Sequence, residues 1–473
     1  MSWKDECGVF GVFQAPEAAQ LCYLGLYALQ HRGQESAGIV SFDREGQFYV
    51  VKETGLVSEI FNDNNLKYLA GESAIGHVRY STSGGSTKFN IQPLYSKTSK
   101  GKIALAHNGN LTNAYYLYHQ LKNEGAIFQS TSDSEIVLHL IARSRQEDVV
   151  EAVAESLRQI EGAYSMVILG EGYMLAARDP QGFRPLVLGL FEGAYVVASE
   201  TCALDLIGAD YVREIEAGEM VKIDASGIQS SRIFPNDLPQ KKAYCVFEHI
   251  YFARPDSVVF GEHVHDVRKE FGRVLAREHP ISADLVMAIP DSGNSAALGY
   301  AEESGIRFDF GMTRNHYVGR TFIQPSQNIR NFSVKVKLNP IKNVLKDRRV
   351  IVVDDSIVRG TTSRERVTAI RKAGAKEVHV RISCPPITDP CYFGIDTPQK
   401  DKLIGSSRNV EEIKNYIGAD SLGFLSISGM LDAIKSIQPD HFCTGCFTGK
   451  YPIEVKDNGK FSIDQQDFNY YIA

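Results

Sequence analysis

Residues 350–363 read Val-Ile-Val-Val-Asp-Asp-Ser-Ile-Val-Arg-Gly-Thr-Thr-Ser, and this stretch constrains the fold more than any other. An unbroken apolar run of strand length ends on two adjacent carboxylates, Asp354 and Asp355. A turn marked by Gly360 follows, and Thr361, Thr362 and Ser363 open a helix reaching 373. A strand without polar alternation belongs inside a sheet covered on both faces. In open α/β sheets, ligands sit just beyond the carboxyl ends of the strands. There the free N–H groups and positive dipole end of a helix receive a phosphate. Carboxylates at that place hold ribose hydroxyls or a hard cation such as Mg2+. The plainer alternative is that Asp354 and Asp355 only cap the helix.

The surrounding second half keeps this alternation. Strands at 283–289, 349–353 and 377–383 alternate with helices at 295–302 and 363–373, which means βαβ units around a parallel sheet. The first half has another texture. Strands are predicted at 8–13, 38–42, 48–52, 74–78, 103–106, 163–169, 173–177, 185–188 and 194–197, with helices at 17–30, 133–145 and 148–160. Runs of strands with helices in separate pairs predict an α+β layered unit. Polarity rises over 224–242, so a linker is placed at 231–244, between units spanning 7–230 and 245–473. A chain of 473 residues supports two or three such units. The net charge of −6 gives no global reason to expect nucleic acid. Eight cysteines are too few for a disulfide scaffold. The first residues lack the basic-then-apolar pattern of a secretory signal, and no apolar run approaches the length of a spanning helix. A cytoplasmic protein with reduced thiols and no membrane partner is expected.

A second turn of the same type lies at Met287-Ala-Ile-Pro-Asp291-Ser292-Gly293-Asn-Ser295, a strand end, a small-residue loop and a helix start. Between the two turns, Arg314, Arg320, Arg330, Lys335, Lys337, Lys342, Lys346, Arg348 and Arg349 stand against the single acid Asp347. A charge run is usually a solvated face, but here it provides the positive field that a polyanionic ligand requires. The segment from Tyr317 is polar, contains Gly319 and is long enough for a lid over 317–330. The 350–363 string resembles the phosphoribosylpyrophosphate (PRPP) loop of type I phosphoribosyltransferases, and 287–295 resembles their diphosphate turn. The resemblance implies that Asp354, Asp355, Ser356, Arg359, Gly360, Thr361, Thr362, Ser363, Asp291, Ser292, Gly293, Arg320 and Lys337 bind PRPP. It also implies Mg2+ on Ser292, Asp354 and Asp355.

The first half carries Cys7-Gly-Val-Phe-Gly11, His31-Arg32-Gly-Gln-Glu-Ser-Ala-Gly38, Gly76-His-Val-Arg79-Tyr-Ser-Thr82, His107-Asn108-Gly109-Asn110, Ser132-Asp133-Ser-Glu135 and Arg178-Asp-Pro180. Singly, each has a dull reading: an inert thiol, a surface charge, a turn at Asn108-Gly109, a helix cap at Asp133. Together they resemble the class II glutamine amidotransferase domain, an N-terminal-nucleophile (Ntn) hydrolase of αββα layering. The resemblance implies Cys7 as the nucleophile, with its own α-amine as base. Residues 1–6 are then a propeptide to be removed. Asn108 and the Gly109 N–H hold the oxyanion, and Arg79, Thr82 and Asp133 bind glutamine.

Glutaminase followed by phosphoribosyltransferase resembles the amidophosphoribosyltransferase family over essentially the whole chain. The implied reaction converts PRPP, glutamine and water to 5-phosphoribosylamine, diphosphate and glutamate. The resemblance also implies a homotetramer inhibited by purine nucleotides (AMP, GMP or ADP type). Cys443-Thr-Gly-Cys446, Cys245 and Cys391 supply four thiolates that suit either Zn2+ or a 4Fe–4S cluster by spacing. In cluster-bearing members of the family these positions ligate 4Fe–4S, which favours iron, with Cys384 as a rival third ligand. Two alternatives compete. Other class II glutaminases feed sugar-phosphate or asparagine synthetases, against which the 350–363 loop argues. A purine- or PRPP-sensing protein with a silent glutaminase, or one using free ammonia alone, would tolerate loss of Cys7, Arg79, Asn108 and Asp133, yet all four are present.

Overall fold

Gly8–Phe13 (β1) is buried at every position. Val9 and Phe13 point to one side and Phe10 and Val12 to the other, the two-residue period of a pleated strand. The computed structural model describes residues 7–80, 88–234, 241–315 and 338–455. After β1 come α1 (Ala18–Ala28), β2 (Ser36–Phe42), β3 (Phe48–Thr54), β4 (Ser73–Arg79), β5 (Leu94–Thr98) and β6 (Gly101–Leu111). Three helices follow, α2 (Ala114–Asn123), α3 (Asp133–Arg143) and α4 (Val149–Leu157), then β7 (Gly162–Gly170), β8 (Tyr173–Arg178), β9 (Val187–Phe191) and β10 (Ala194–Ala198). The unit ends with α5 (Thr201–Ile207), β11 (Asp210–Glu214), β12 (Glu219–Asp224) and β13 (Gly227–Arg232).

These strands form two antiparallel sheets, ordered β11-β9-β10-β1-β4-β2-β3 and β13-β12-β8-β7-β6-β5. Val9, Phe13, Val40 and Ile75 of the first meet Ala106, Val167, Met174 and Val221 of the second in a shared core. The outer face of the first sheet packs on α1 and α5 through Phe10, Leu26, Leu29 and Leu204. The outer face of the second packs on α2–α4 through Leu105, Leu117, Ile136, Leu140 and Val153. Helix, sheet, sheet and helix layers give the αββα architecture. The polar stretch expected to be linker is partly strand. Gly227–Arg232 is β13, an edge strand whose last four residues are exposed, and exposure is why it reads as polar. The expected 231–244 linker therefore overlaps β13 at Ser231 and Arg232. Its end overlaps Tyr244–Cys245, which pairs in parallel with Phe442–Cys443.

The second half opens with a π-helical turn, Glu248–Phe252. It continues through α6 (Val264–Glu278), β14 (Leu285–Ala288), α7 (Asn294–Ser304), β15 (Arg349–Asp354), α8 (Thr361–Lys372), β16 (Glu377–Ile382), α9 (Val410–Ile417) and β17 (Ser421–Phe424). The four strands are parallel, in the order β14-β15-β16-β17. β14 and β15 end side by side, Ala288 opposite Val353, and the Ile289 N–H donates to the Val353 carbonyl at 2.9 Å. Both phosphate turns thus start at one point on the sheet's carboxyl edge. Among the described residues no helix is long and apolar enough to cross a membrane.

Candidate active site

Cys7 immediately precedes β1 and is buried, its Sγ 3.6 Å from the Tyr80 carbonyl. β1 and β4 are neighbours, with Gly8 opposite Val78, so Cys7 and the buried Arg79 emerge at one end of the first sheet. The second sheet joins at that level. His77 Nε2–H donates to the His107 carbonyl at 3.0 Å, and Asn108 follows. Asp133 opens α3, and its Oδ2 accepts from the Leu111 N–H at 2.9 Å. His107 Nε2–H donates to the Ala163 carbonyl at 3.2 Å, and its Nδ1 lies 2.9 Å from the Ser134 hydroxyl. Burial pushes the His107 imidazole below its ordinary value despite nearby Asp133, and pushes His77 down to about 3. Both rings are neutral struts beneath the site. The structure therefore brings Cys7, Arg79, Asn108, Gly109 and Asp133 to one end of the sandwich. Thr82 and residues 1–6 lie outside the described residues.

Asn108-Gly109 is not a turn. β6 was expected to stop at 106 but continues to Leu111, with Asn108 opposite Ser165 and Gly109 opposite Tyr164. Gly109 has φ +153°, and a Cβ there would stand 2.0 Å from the Ala163 carbonyl oxygen, so only glycine lets the strand pass. Asn108 is 1% exposed, and among the described residues its Nδ2 has no hydrogen-bond partner. Leaving such a donor unpaired costs about 1–3 kcal/mol. A fixed, unspent donor is what charge developing on an attacked carbonyl requires. One contact was not anticipated: Arg32 Nε donates to the Cys7 carbonyl at 3.0 Å. Arg32 stands in the His31–Gly38 string, but nothing in its spacing marks a guanidinium as fully buried.

In the second half, Asp291 is exposed, Ser292 half-buried and Gly293 buried, between β14 and α7. Asp354 ends β15 and Asp355 follows it, and both are buried. Burial pushes the Asp354 carboxyl up to about 7 even against the Arg366 guanidinium paired with it, and Asp355 adds to the rise. The Asp355 N–H donates to Asp354 Oδ1 at 3.1 Å, and the Ser356 hydroxyl donates to Asp355. Neither acid caps α8, whose N-cap is Gly360 at φ +75° without a side-chain cap. That removes the plainer capping alternative. A Cβ on Gly360 would stand 2.7 Å from Ile404 Cδ1. Thr361 is exposed, Arg359 and Thr362 are half-buried and Ser363 is buried, so the start of a 12-residue helix faces the turn. Two buried carboxylates, with the Ser356 hydroxyl against Asp355, are a hard oxygen donor set, and they fit Mg2+.

Among the described residues, the expected basic side chains do not gather at the phosphate turns. Arg349 starts β15 and pairs with Asp284 at 2.9 Å, about 16 Å along the strand from Asp354. Lys342, Lys346 and Arg348 precede it and lie toward that far end. Arg314 pairs with Asp291 at 2.6 Å. Arg320, Arg330, Lys335, Lys337 and the expected 317–330 lid lie outside the described residues.

Cys245, Cys391, Cys443 and Cys446 line one small cavity of about 20 Å³ with Phe183, Phe247, Phe393, Ile395 and Tyr451. Cys384 is not part of that lining; its Sγ lies 3.2 Å from the Pro385 carbonyl. Among the described residues no three His, Cys, Asp or Glu side chains are placed to hold a single metal ion. Burial pushes the Cys443 thiol up to about 12 and Cys446 well above its ordinary value. Four thiols lining one small apolar space are a soft donor set, the type that zinc or an iron–sulfur cluster takes.

The glutamine amidotransferase domain family matches residues 77–206. The amidophosphoribosyltransferase of Bacillus subtilis (strain 168) is 50% identical over 456 residues, 96% of this chain and 95% of its own. The chloroplastic amidophosphoribosyltransferase of Vigna aconitifolia is 52% identical over 458 residues, 96% of this chain and 93% of its own. The solved structure of glutamine PRPP amidotransferase from B. subtilis, complexed with ADP and GMP, matches with TM-score 0.90 at 49% identity, covering 96% of this chain and 98% of that one. An antiparallel sandwich ending in a buried thiol, a parallel sheet ending in two phosphate turns, and likeness along nearly the full length agree. The chain belongs to the amidophosphoribosyltransferase family, which makes the first committed step of purine biosynthesis, the glutamine-dependent amination of PRPP.

Proposed function

We propose that this reaction is divided between the two ends described above, with nitrogen released at Cys7 and used at the 354–363 turn. Removal of residues 1–6 frees the Cys7 α-amine, which titrates near pH 8 and takes the thiol proton. The sulfur attacks the glutamine carboxamide carbon, and the oxyanion is held by Asn108 Nδ2 and the Gly109 N–H. The protonated amine returns its proton to the departing ammonia, and water then hydrolyses the thioester to glutamate. Arg79 pairs with the substrate α-carboxylate and Asp133 with its α-ammonium, with Thr82 beside them. The observation that carries this half is the buried, unpartnered Asn108 amide beside the Cys7 end of the sandwich.

At the second site, Asp354 and Asp355 hold the ribose side of PRPP. Ser356, Arg359 and Gly360–Ser363 receive its 5-phosphate at the start of α8. Asp291–Gly293, Arg320 and Lys337 hold the diphosphate. Ammonia adds to the ribose C1 as the C1–O bond to diphosphate breaks. Ser292, Asp354 and Asp355 are the residues that would hold Mg2+, which neutralises charge on the leaving diphosphate when bound. Cys245, Cys391, Cys443 and Cys446 would hold a 4Fe–4S cluster, a structural group whose binding adds to folding stability. The four thiols that share one apolar cavity support a thiolate-bound metal group there, and the family resemblance favours iron over zinc. Inhibition by purine nucleotides is supported by the ADP and GMP bound to the B. subtilis relative. A cytoplasmic homotetramer completes the reading, and eight free thiols among the described residues support a reducing compartment.

Intact-mass analysis of anaerobically purified protein tests the unproven parts together. A denatured mass matching residues 7–473, and a native mass increased by four irons and four sulfides, are expected. Active glutaminase that retains residues 1–6, or bound zinc with no iron, contradicts it.

A further inference from the structure

Arg32, Arg184, Glu200 and Glu248 are all fully buried, two cations and two anions drawn from both halves of the chain. Glu248 stands on the π-helical turn of the second half. Its carboxylate accepts from Arg32 NH1 at 2.9 Å and NH2 at 2.7 Å, and from Arg184 NH1 at 3.4 Å. Arg32 also donates to Glu200 at 2.5 Å and, through Nε, to the Cys7 carbonyl. Arg184 turns its other nitrogens the opposite way, Nε and NH2 donating to the Phe393 carbonyl at 3.1 and 2.7 Å. The Arg184 carbonyl accepts from the hydroxyl of Ser165, the cross-strand neighbour of Asn108. The adjoining Tyr392 carbonyl accepts from Asn110 Nδ2 at 2.9 Å. A Cβ on Gly394 would stand 3.2 Å from Gly109 Cα. The 392–394 loop therefore lies directly on the strand that carries the oxyanion donors.

We propose that Glu248 is a positioning residue for the glutaminase, fixing the Cys7 main chain through Arg32 and the Asn108–Gly109 strand through Arg184 and the 392–394 loop. Charges buried this deeply gain little net stability over apolar packing, whereas a misplacement of about 1 Å between reacting groups costs about 100-fold in rate. The second half thus contributes geometry to a site whose substrate it does not touch. The inference rests on Cys7 being the nucleophile.

Glu248→Gln keeps the shape but turns an amide N–H toward the guanidinium donors. In the full-length holoenzyme, the glutamine-dependent kcat is expected to fall about 10- to 100-fold, with the glutamine KM and the ammonia-dependent rate unchanged. Alkylation of Cys7 by a glutamine-like diazoketone, followed by mass spectrometry, should slow in parallel, and Glu248→Asp should recover part of both rates. Asn110→Ala leaves the buried charges intact and should lower the same kcat about fivefold, the worth of one hydrogen bond; it decides the question should Glu248→Gln not fold. Wild-type labelling and kcat in the variants, a KM effect alone, or equal loss of both activities would overturn the proposal. Label landing on a residue other than Cys7 in the unaltered enzyme would instead remove the nucleophile assignment, and the inference with it.

Discussion

Asn108 concentrates the chemistry of the first site in a single amide. Its Nδ2 is buried and unpartnered among the described residues, a cost to the folded chain that bound substrate relieves under the proposed mechanism. Asn108→Ala is expected to lower the glutamine-dependent kcat by about 100- to 1000-fold while sparing ammonia-dependent synthesis, measured as phosphoribosylamine formed from each nitrogen source. His77 and His249 make a different demand. Burial pushes them to about 3 and about 4, while the unfolded chain protonates its histidines near 6.5. Below 6.5 the unfolded state binds protons that the folded state refuses, so stability is held above that pH and lost as pH falls toward 4. Each histidine contributes about 1.4 kcal/mol per pH unit in this window. Glu200 adds to the loss at lower pH: burial opposes its charge, yet facing His31 and Arg32 hold it well below the usual carboxylate range. Denaturant titrations between pH 4.5 and 6.5 should show the slope, and His77→Gln should remove one histidine's share. A pH-independent midpoint would contradict the neutral assignment.

At the scale of elements, legibility followed burial. β1, β7 and β15 are continuous apolar runs and could be read directly. β13 could not, because the edge of the second sheet exposes polar side chains that look like linker; β12, mostly buried between β13 and β8, was missed because Glu219, Lys222 and Asp224 break its apolar run. α6 was missed although Val264, Val267, Phe271 and Leu275 form its buried stripe; its many charges hide the period. β6 was cut short at 106 because Asn-Gly usually turns a chain, whereas Gly109 here passes a neighbouring carbonyl within a strand. The buried charges Arg32, Arg184 and Glu248 had no sequence signal, since only tertiary packing turns an ordinary ion into an enclosed one. Motif residues were legible because their chemistry limits their types: Cys7, Arg79, Asp133, Asp354 and Asp355 all stand at strand or helix ends. The turn before α8 offers a test of that rule. Gly360→Ala must accept a left-handed backbone costing about 1–2 kcal/mol and a contact with Ile404. The PRPP KM should rise about tenfold with glutamine and ammonia alike, and an unchanged KM would separate this turn from PRPP.

At the scale of the whole molecule, two unrelated architectures share one chain and one reaction. An antiparallel sandwich buries a thiol at one end, and a parallel sheet carries two phosphate-type turns at its carboxyl edge. Contacts such as Arg32–Glu248 and Asn110–Tyr392 bind the two into one body. The proposed division of labour has a direct consequence: nitrogen release should be abolished without touching nitrogen use. The measurement that tests it most directly is phosphoribosylamine synthesis by Cys7→Ala, assayed side by side with glutamine and with ammonium at high pH. Loss of the glutamine-dependent rate with the ammonia-dependent rate intact is the result expected, and equal loss of both, or retention of the glutamine rate, would contradict the two-site account.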